Sequence, residues 1–324
     1  MTAVSVSNGE IIVYCDQFIK HDGYIHRTSF LLDAIHQLKD RARCIRLIFS
    51  DGEPIVFSSF ATVIDYIKNT YAHNIIIEVM DTCPPYQCPG ATTIVKPSPF
   101  FRQLSREAQR SNYVLNESAV LFGGIFGRMT AHRFLMSYFL ETQLAQDSFV
   151  IFQPDKQFVD FELEPVRNYY TKELEWIEQR TENNRTIAPR GNGQVDCTDS
   201  LKTFADIWGK YHIEVVLETN PIDHGWFTEK TTRCLATGKP FILFGTAGQL
   251  QTLRNMGFQT FAPIDESYDR EPDLFKRFNL IKQELIRLTT VDRLELLRTI
   301  QLAADYNADN YNTIIAKYYD RYTS

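Results

Sequence analysis

Short apolar runs of strand length alternate along the chain with longer stretches in which apolar residues recur at helical spacing. In the first third, strands are expected at 11–15, 45–49 and 75–79, with helices at 28–42 and 58–71. This alternation indicates βαβ units and a parallel sheet. Residues 83–99 are rich in proline and glycine, and we interpret them as a linker.

A second alternating set begins near residue 118. Strands are expected at 119–122, 148–152, 212–218, 240–244 and 258–261, and helices at 129–145, 168–181, 200–210, 227–237 and 247–255. Gly123, Gly124 and Gly127 are expected to form a turn after the first of these strands. The polar segment 182–199 is expected to be a loop that tightens over bound ligand. The tail, 271–320, is predicted to form two helices that are broken near Thr289 and Thr290.

Two consecutive units of this kind predict an α/β protein with two doubly wound domains and a helical C-terminal tail. We place the domains at 1–112 (including the linker) and 113–288, and we expect 289–324 to pack back on the first domain. Ligands of such sheets bind beyond the carboxyl ends of the strands. The loops after 119–122, 212–218 and 240–244 are therefore the places where chemistry is expected.

Composition narrows the class of protein. With 44% hydrophobic and 23% charged residues the chain is globular, and the absence of a long apolar run or a signal peptide predicts a cytoplasmic protein without a membrane span. The net charge of −6 argues against sequence-independent binding to nucleic acid unless a local basic face exists. The six scattered cysteines favour reduced thiols, and no residue spacing suggests a metal site.

The loop from Gly123 to Arg133 joins a predicted strand to a predicted helix. Its glycines allow the backbone to approach an anion, and a helix N-terminus offers free N–H groups. Arg128 and Arg133 add two cations that can bind phosphate oxygens, and His132 can donate to the same group. The spacing matches neither a P-loop nor the dinucleotide fingerprint. A phosphate site and a tight turn with surface arginines both stay open.

The segment 218–231 also follows a strand and opens a helix. Thr228 is the expected N-cap, with Glu229 and Lys230 in the first turn. A lysine at a helix start is electrostatically unfavourable unless an anion joins it, and a carboxylate can accept hydrogen bonds from ribose hydroxyls. An ordinary capped helix with solvated charges is the alternative.

Three further segments give weaker signals. Gly245–Gly248 is a run of small residues that follows a predicted strand. The acidic turn 265–269 is expected to be a solvated loop. After the first strand lie Asp16, His21 and Asp22, which are candidates for a general base or for a surface loop with incidental titratable groups.

The order of these segments resembles a family. The stretch 227–269, FTEKTTRCLATGKPFILFGTAGQLQTLRNMGFQTFAPIDESYD, is similar to glycosyltransferases of phages, large DNA viruses and bacteria, and more distantly to fucosyltransferases. The segment from Gly127 to Arg133 resembles their GR-x-R-x-HR element, although Thr130 replaces the usual middle arginine. Arg233 and Cys234 also depart from the pattern, and residues 1–112 show no resemblance.

The resemblance implies a GT-B-like arrangement, with two Rossmann-like domains, the active site in the cleft between them and a nucleotide sugar on the second domain. It implies a metal-independent hexosyl- or pentosyltransferase without a cofactor, which takes a UDP- or GDP-linked sugar as co-substrate and works in the cytoplasm, the host's if the source is viral. The donor-binding residues that it implies are Gly124, Arg128, His132, Arg133, Glu218, Phe227, Thr228, Glu229, Lys230 and Thr231. The catalytic base is expected among His21, Asp22 and Asp16, on the acceptor side.

The acceptor stays open among a glycan, a small molecule and a hydroxymethylated DNA base. A DNA-modifying transferase would need a basic strip, for which the candidates are Lys96, Arg102, Arg106 and Arg110. A protein that binds nucleotide sugars without turnover is the other alternative.

Overall fold

The computed structural model describes residues 4–15, 28–49, 57–71, 74–80, 90–96, 101, 118–126, 130–152, 207–219, 221 and 225–321. These residues form two β-sheets and seven α-helices. The strands are β1 Val4–Ser7, β2 Glu10–Tyr14, β3 Cys44–Ile48, β4 Asn74–Met80, β5 Thr92–Lys96, β6 Val120–Phe126, β7 Ser148–Phe152, β8 Tyr211–Leu217 and β9 Phe241–Phe244. The helices are α1 Thr28–Leu38, α2 Phe57–Thr70, α3 Ala131–Gln143, α4 Glu229–Thr237, α5 Gln249–Met256, α6 Leu274–Leu288 and α7 Arg293–Asp320.

The first sheet has the order β1-β2-β3-β4-β5, in which β1 is antiparallel to β2 and the other pairs are parallel. Its strands β2 and β3 alternate buried and half-buried residues, so the core of the described residues lies on one face. Helices α1 and α2 pack on that face, because right-handed crossovers between successive neighbouring strands place both helices on one side. The shared core of strands and helices includes Ile11, Val13, Ile45, Leu47, Ile77, Leu31, Ile35, Ile64 and Ile67.

Two strands of this sheet were not predicted. β1 is joined to β2 by Asn8 and Gly9, both with positive φ, which is the Asn-Gly hairpin turn that the sequence contains. β5 lies inside the predicted linker 83–99, where Thr92–Lys96 pairs with β4. The linker prediction is therefore wrong for these five residues, four of which have β-branched side chains that favour a strand despite the neighbouring prolines. Residues 83–89 and 97–99 lie outside the described residues.

The second sheet is entirely parallel, in the order β7-β6-β8-β9. The predicted turn at Gly123 and Gly124 is wrong, because both glycines lie within β6 and pair with Phe149 and Val150 of β7. They are required by close packing: a Cβ on Gly123 would lie 2.2 Å from the Tyr211 ring. The third glycine of the expected turn, at 127, lies outside the described residues.

The predicted strand at 258–261 is also wrong. Phe258 and Phe261 are buried, but they are three residues apart, whereas a strand places the side chains of one face two residues apart. The backbone between them forms hydrogen bonds with side chains instead of a neighbouring strand. Asn307 of α7 accepts from Gln259 N at 2.8 Å and donates to Gln259 O at 2.9 Å, and Glu266 accepts from Phe261 N at 3.0 Å. These backbone groups are partly buried, and polar side chains supply their hydrogen-bond partners.

The tail forms two helices, as predicted, and Asp273 and Asp292 cap their N-termini. Helix α6 packs against α3, and α7 packs against α4 and α5. The packing of α7 on the first domain stays a prediction. No helix within the described ranges is long and apolar enough to cross a membrane.

We predict that Asn307→Ala lowers the free energy of unfolding by about 1–3 kcal/mol, because it removes the two hydrogen bonds that the buried Asn307 amide makes to the N–H and C=O of Gln259. Urea denaturation measures the change. Asn310→Ala, on a more exposed part of the same helix, is the matched control. Equal stability of the two variants would contradict the role of Asn307.

Candidate functional site

The carboxyl ends of β6, β8 and β9 share one edge of the second sheet, because these strands are parallel. Polar residues lie beyond these ends: Thr130 after β6, Glu218 after β8, and Thr246, with Gly245 before it, after β9. This edge is where the fold class predicts a ligand.

Glu218 is fully buried, and its carboxylate holds the start of α4. It accepts from the Thr228 backbone N–H at 3.1 Å and from the Thr228 and Thr231 hydroxyls at 2.5 Å each. A carboxylate at a helix N-terminus is favoured by the partial positive charge there. Thr228 also caps the helix as predicted, since its side chain accepts from Lys230 N.

His132 connects this cluster to the first predicted loop. Its Nε2 lies 2.8 Å from the Glu218 carbonyl oxygen, so Nε2 carries the proton, and Nδ1 accepts from the Thr130 hydroxyl at 3.0 Å. Burial, reinforced by the charge of Arg133, lowers the pKa of His132 well below its usual value, and the ring is neutral at pH 7. A donor phosphate would reach His132 only by replacing one of these contacts.

Arg133 lies in the first turn of α3 and is buried. Its Nη2 donates to the Leu217 carbonyl oxygen at 3.3 Å. Removing this side chain is therefore expected to affect stability as well as any ligand.

Glu229 and Lys230 differ from their neighbours because their side chains keep about a fifth of their surface exposed, 19% and 20%. Lys230 Nζ donates to Glu229 at 2.7 Å and to Thr228 Oγ1 at 3.2 Å. Burial alone would raise the pKa of Glu229, but the charge and hydrogen bond of Lys230, together with Arg233, lower it to about 2. Among the residues of 218–231 that the structure describes, this ion pair is both charged and partly exposed, so a ligand can reach it directly.

Other residues assigned to the donor prove to be internal. Phe227 packs its ring against Phe101, with the centroids 5.8 Å apart, and Thr231 is fully buried on Glu218. Gly124 lies within β6, where a Cβ would be 2.4 Å from the Phe126 ring, so the assignment of Gly124 to an anion-binding turn is wrong. Glu218 and Thr228 likewise face protein groups. The role of these internal residues is to hold the strands and helices of the edge in place.

The small residues at 245–248 make room for a side chain of the protein. A Cβ on Gly245 would lie 1.7 Å from Oε1 of Gln249, which accepts from Thr246 N at 3.0 Å. Nε2 of the same amide donates to the Trp226 carbonyl oxygen at 3.3 Å. Gln249, which sequence reasoning missed, therefore joins the loop after β9 to the segment before α4.

The acidic segment 265–269 was expected to be a solvated loop, and that expectation is wrong for its second half. Tyr268 and Asp269 are buried in a 3₁₀ helix, and Asp269 accepts from Leu250 N and Gln251 N at 3.0 and 3.2 Å. Glu266 accepts from Arg254 at 2.7 Å. The carboxylates of this segment stabilise α5 and its surroundings.

Arg277 of α6 also reaches this edge, and nothing in the spacing of the sequence indicated it. It is 1% exposed, donates to the carbonyl oxygens of Pro221 and Glu271, and lies over the Phe244 ring at 5.9 Å. Burial lowers its pKa to about 10, so it stays a cation at pH 7.

The N-termini of helices α3 to α7 divide into two kinds. Four of them hold a carboxylate of the protein: α4, α5, α6 and α7 bind Glu218, Asp269, Asp273 and Asp292 respectively. The N-cap of α3, Thr130, makes no capping bond, and the first turn of α3 contains no acidic residue but does contain Arg133.

Several predicted site residues lie outside the described residues: Asp16, His21, Asp22, Arg128 and the segment 182–199. Within the described ranges, no group of three His, Cys, Asp or Glu side chains could hold a metal ion. Comparisons of the chain with protein-family models, curated proteins and solved structures give no match.

We predict that the Glu229–Lys230 pair makes the protein sensitive to acid. A carboxyl with a pKa of 4.5 when unfolded and about 2 when folded stabilises the fold above pH 4.5, and this contribution is lost as the pH falls from 4.5 towards 2. Over that range the wild type should lose on the order of 1–3 kcal/mol more than Glu229→Gln.

Urea denaturation at a series of pH values measures this difference. Glu295→Gln, which changes an exposed glutamate in the first turn of α7, is the matched control. Parallel pH profiles for wild type and Glu229→Gln would contradict the ion pair.

Proposed function

We propose that the chain is a glycosyltransferase whose nucleotide-diphosphate-sugar donor binds at the carboxyl edge of the second sheet. The observation that carries this proposal is the meeting of two segments, 130–133 and 218–231, which are joined by the hydrogen bond between His132 and Glu218, 86 residues apart. Both segments belong to the resemblance described above, and proximity of the two is what a shared donor site requires.

The diphosphate is assigned to the start of α3. That N-terminus carries Arg133 and no acidic residue in its first turn, whereas the N-terminus of α4 already holds Glu218. Anions are stabilised at helix N-termini by free N–H groups and the helix dipole. Arg128, which the resemblance implies as a donor-binding residue, is two residues before Thr130 in the sequence. We assign to it a second contact with phosphate.

The Glu229–Lys230 pair is assigned to the ribose and to the departing diphosphate. Lys230 can move from Glu229 to a phosphate oxygen and offset the charge that develops on the leaving group. Glu229, then released, can accept hydrogen bonds from ribose hydroxyls. Transfer to the acceptor hydroxyl without a metal, with a base among His21, Asp22 and Asp16, completes the proposal.

Lys230→Ala tests the donor site. Losing a charge-assisted hydrogen bond to phosphate should raise the dissociation constant for UDP or GDP by about 10- to 100-fold, measured by calorimetry. Lys276→Ala, an exposed lysine in the first turn of α6, is the matched control. Arg133→Ala is less informative because its side chain is buried.

A screen of UDP- and GDP-linked sugars by thermal shift identifies the nucleotide, because a ligand of the native state raises the melting temperature. Release of labelled sugar then separates a transferase from a binding protein without turnover. Binding that survives EDTA is expected. No thermal shift with any nucleotide sugar, together with unchanged nucleotide affinity in Lys230→Ala, would overturn the proposal.

A further inference from the structure

The first sheet has one face without a helix among the described elements. Helices α1 and α2 cover the opposite face, where the buried side chains of the strands lie. The other face carries half-buried aliphatic residues, among them Ile12, Ile48, Ile76 and Ile94. Parallel sheets are normally covered on both faces, because both faces are rich in apolar residues. The open face therefore has the character of an interaction surface.

Four charged residues cross this face in a diagonal row, one on each of β2, β3, β4 and β5. From the strand register, Glu10, Arg46, Glu78 and Lys96 each lie two residues further along their strand than the one before. Neighbours in the row are paired: Arg46 lies 2.8 Å from Glu10 and 3.4 Å from Glu78, and Lys96 lies 3.9 Å from Glu78.

The row has alternating signs: negative, positive, negative, positive. When such a row is reversed and laid against itself, every contact joins opposite charges. A two-fold axis that crosses the row at right angles between Arg46 and Glu78 produces this reversal. Glu10 then faces Lys96 of the partner subunit, and Arg46 faces Glu78 of the partner subunit. Two-fold interfaces need this self-complementarity, because both partners present the same surface.

The exposure of the row fits an interface that is open in the single chain. The side chains of Glu10, Arg46 and Glu78 are 21–26% exposed, while Lys96, at the end of the row, is 55% exposed and least engaged within its own chain. Because each inner charge already has a partner, covering the face leaves no unpaired charge, which would be costly.

We propose that this face binds the same face of a second copy of the chain. Five strands about 4.8 Å apart and about five residues long give a face of roughly 400 Å². A standard interface buries about 800 Å² per partner, so a weak dimer with a dissociation constant of about 1–100 µM is expected.

Sedimentation velocity of the full chain tests this proposal, at concentrations from about 1 to about 200 µM. Lys96→Glu places like charges opposite each other twice per dimer and should raise the dimer dissociation constant about tenfold. The double variant Glu10→Lys with Lys96→Glu restores opposite charges across the two-fold axis and should recover the dimer. Lys317→Glu, an exposed charge reversal on α7, is the matched control.

Circular dichroism establishes that each variant is folded, and Ile76→Arg, in the middle of the face, gives a second disruptive variant should the double variant not fold. A dimer that Lys96→Glu weakens, and that the double variant restores or Ile76→Arg abolishes, supports the proposal. A monomer over the whole concentration range, a dimer that neither Lys96→Glu nor Ile76→Arg weakens, or a folded double variant that fails to recover the dimer would overturn it.

Discussion

Glu218 brings a carboxylate into a fully buried position at the end of β8, and the first turn of α4 supplies the N–H and hydroxyl groups that bind it. Burying a charge without hydrogen-bond partners is costly in free energy, so the first turn of α4 must stay in contact with this carboxylate. The backbone of the same residue accepts from His132. One residue thus fixes α3 and α4 relative to β8, and the partly exposed Glu229–Lys230 pair takes its position from this contact.

The hydrophobic pattern predicted most strands and helices correctly, because their burial follows simple periods. It failed where contacts between residues far apart in the sequence decide the local structure. Gly123 and Gly124 were interpreted as a turn, but their role is to leave space for the rings of Tyr211 and Phe126, which sequence spacing does not show. At 258–261 two phenylalanines suggested a buried strand, but Gln259 takes its hydrogen-bond partner from Asn307, 48 residues away. Missing long-range information explains both errors.

The candidate site shows the same division. The sequence predicted which segments lie at the carboxyl edge, because the ends of parallel strands must meet there. It did not predict which side chains face inwards: Thr231, Phe227 and His132 are buried, and the carboxylate of Asp269 binds the N-terminus of α5. A polar residue at the start of a helix can form hydrogen bonds either with a ligand or with other groups of the protein. Composition alone does not distinguish these two roles. Arg277 arrives from a helix outside the segment and could not have been found by spacing.

The contribution of Arg277 has a consequence for synthesis of the chain. The sheet edge is built from β6, β8 and β9, but the carbonyl oxygen of Pro221 receives its hydrogen bond from a residue made 56 positions later. Asp269, which binds the start of α5, is also translated after the last strand. When only the strands have emerged from the ribosome, the edge therefore still lacks the hydrogen bonds from Arg277 and to Asp269. The edge is complete only after α6 has emerged, so it is among the last parts of this unit to take its final form during translation.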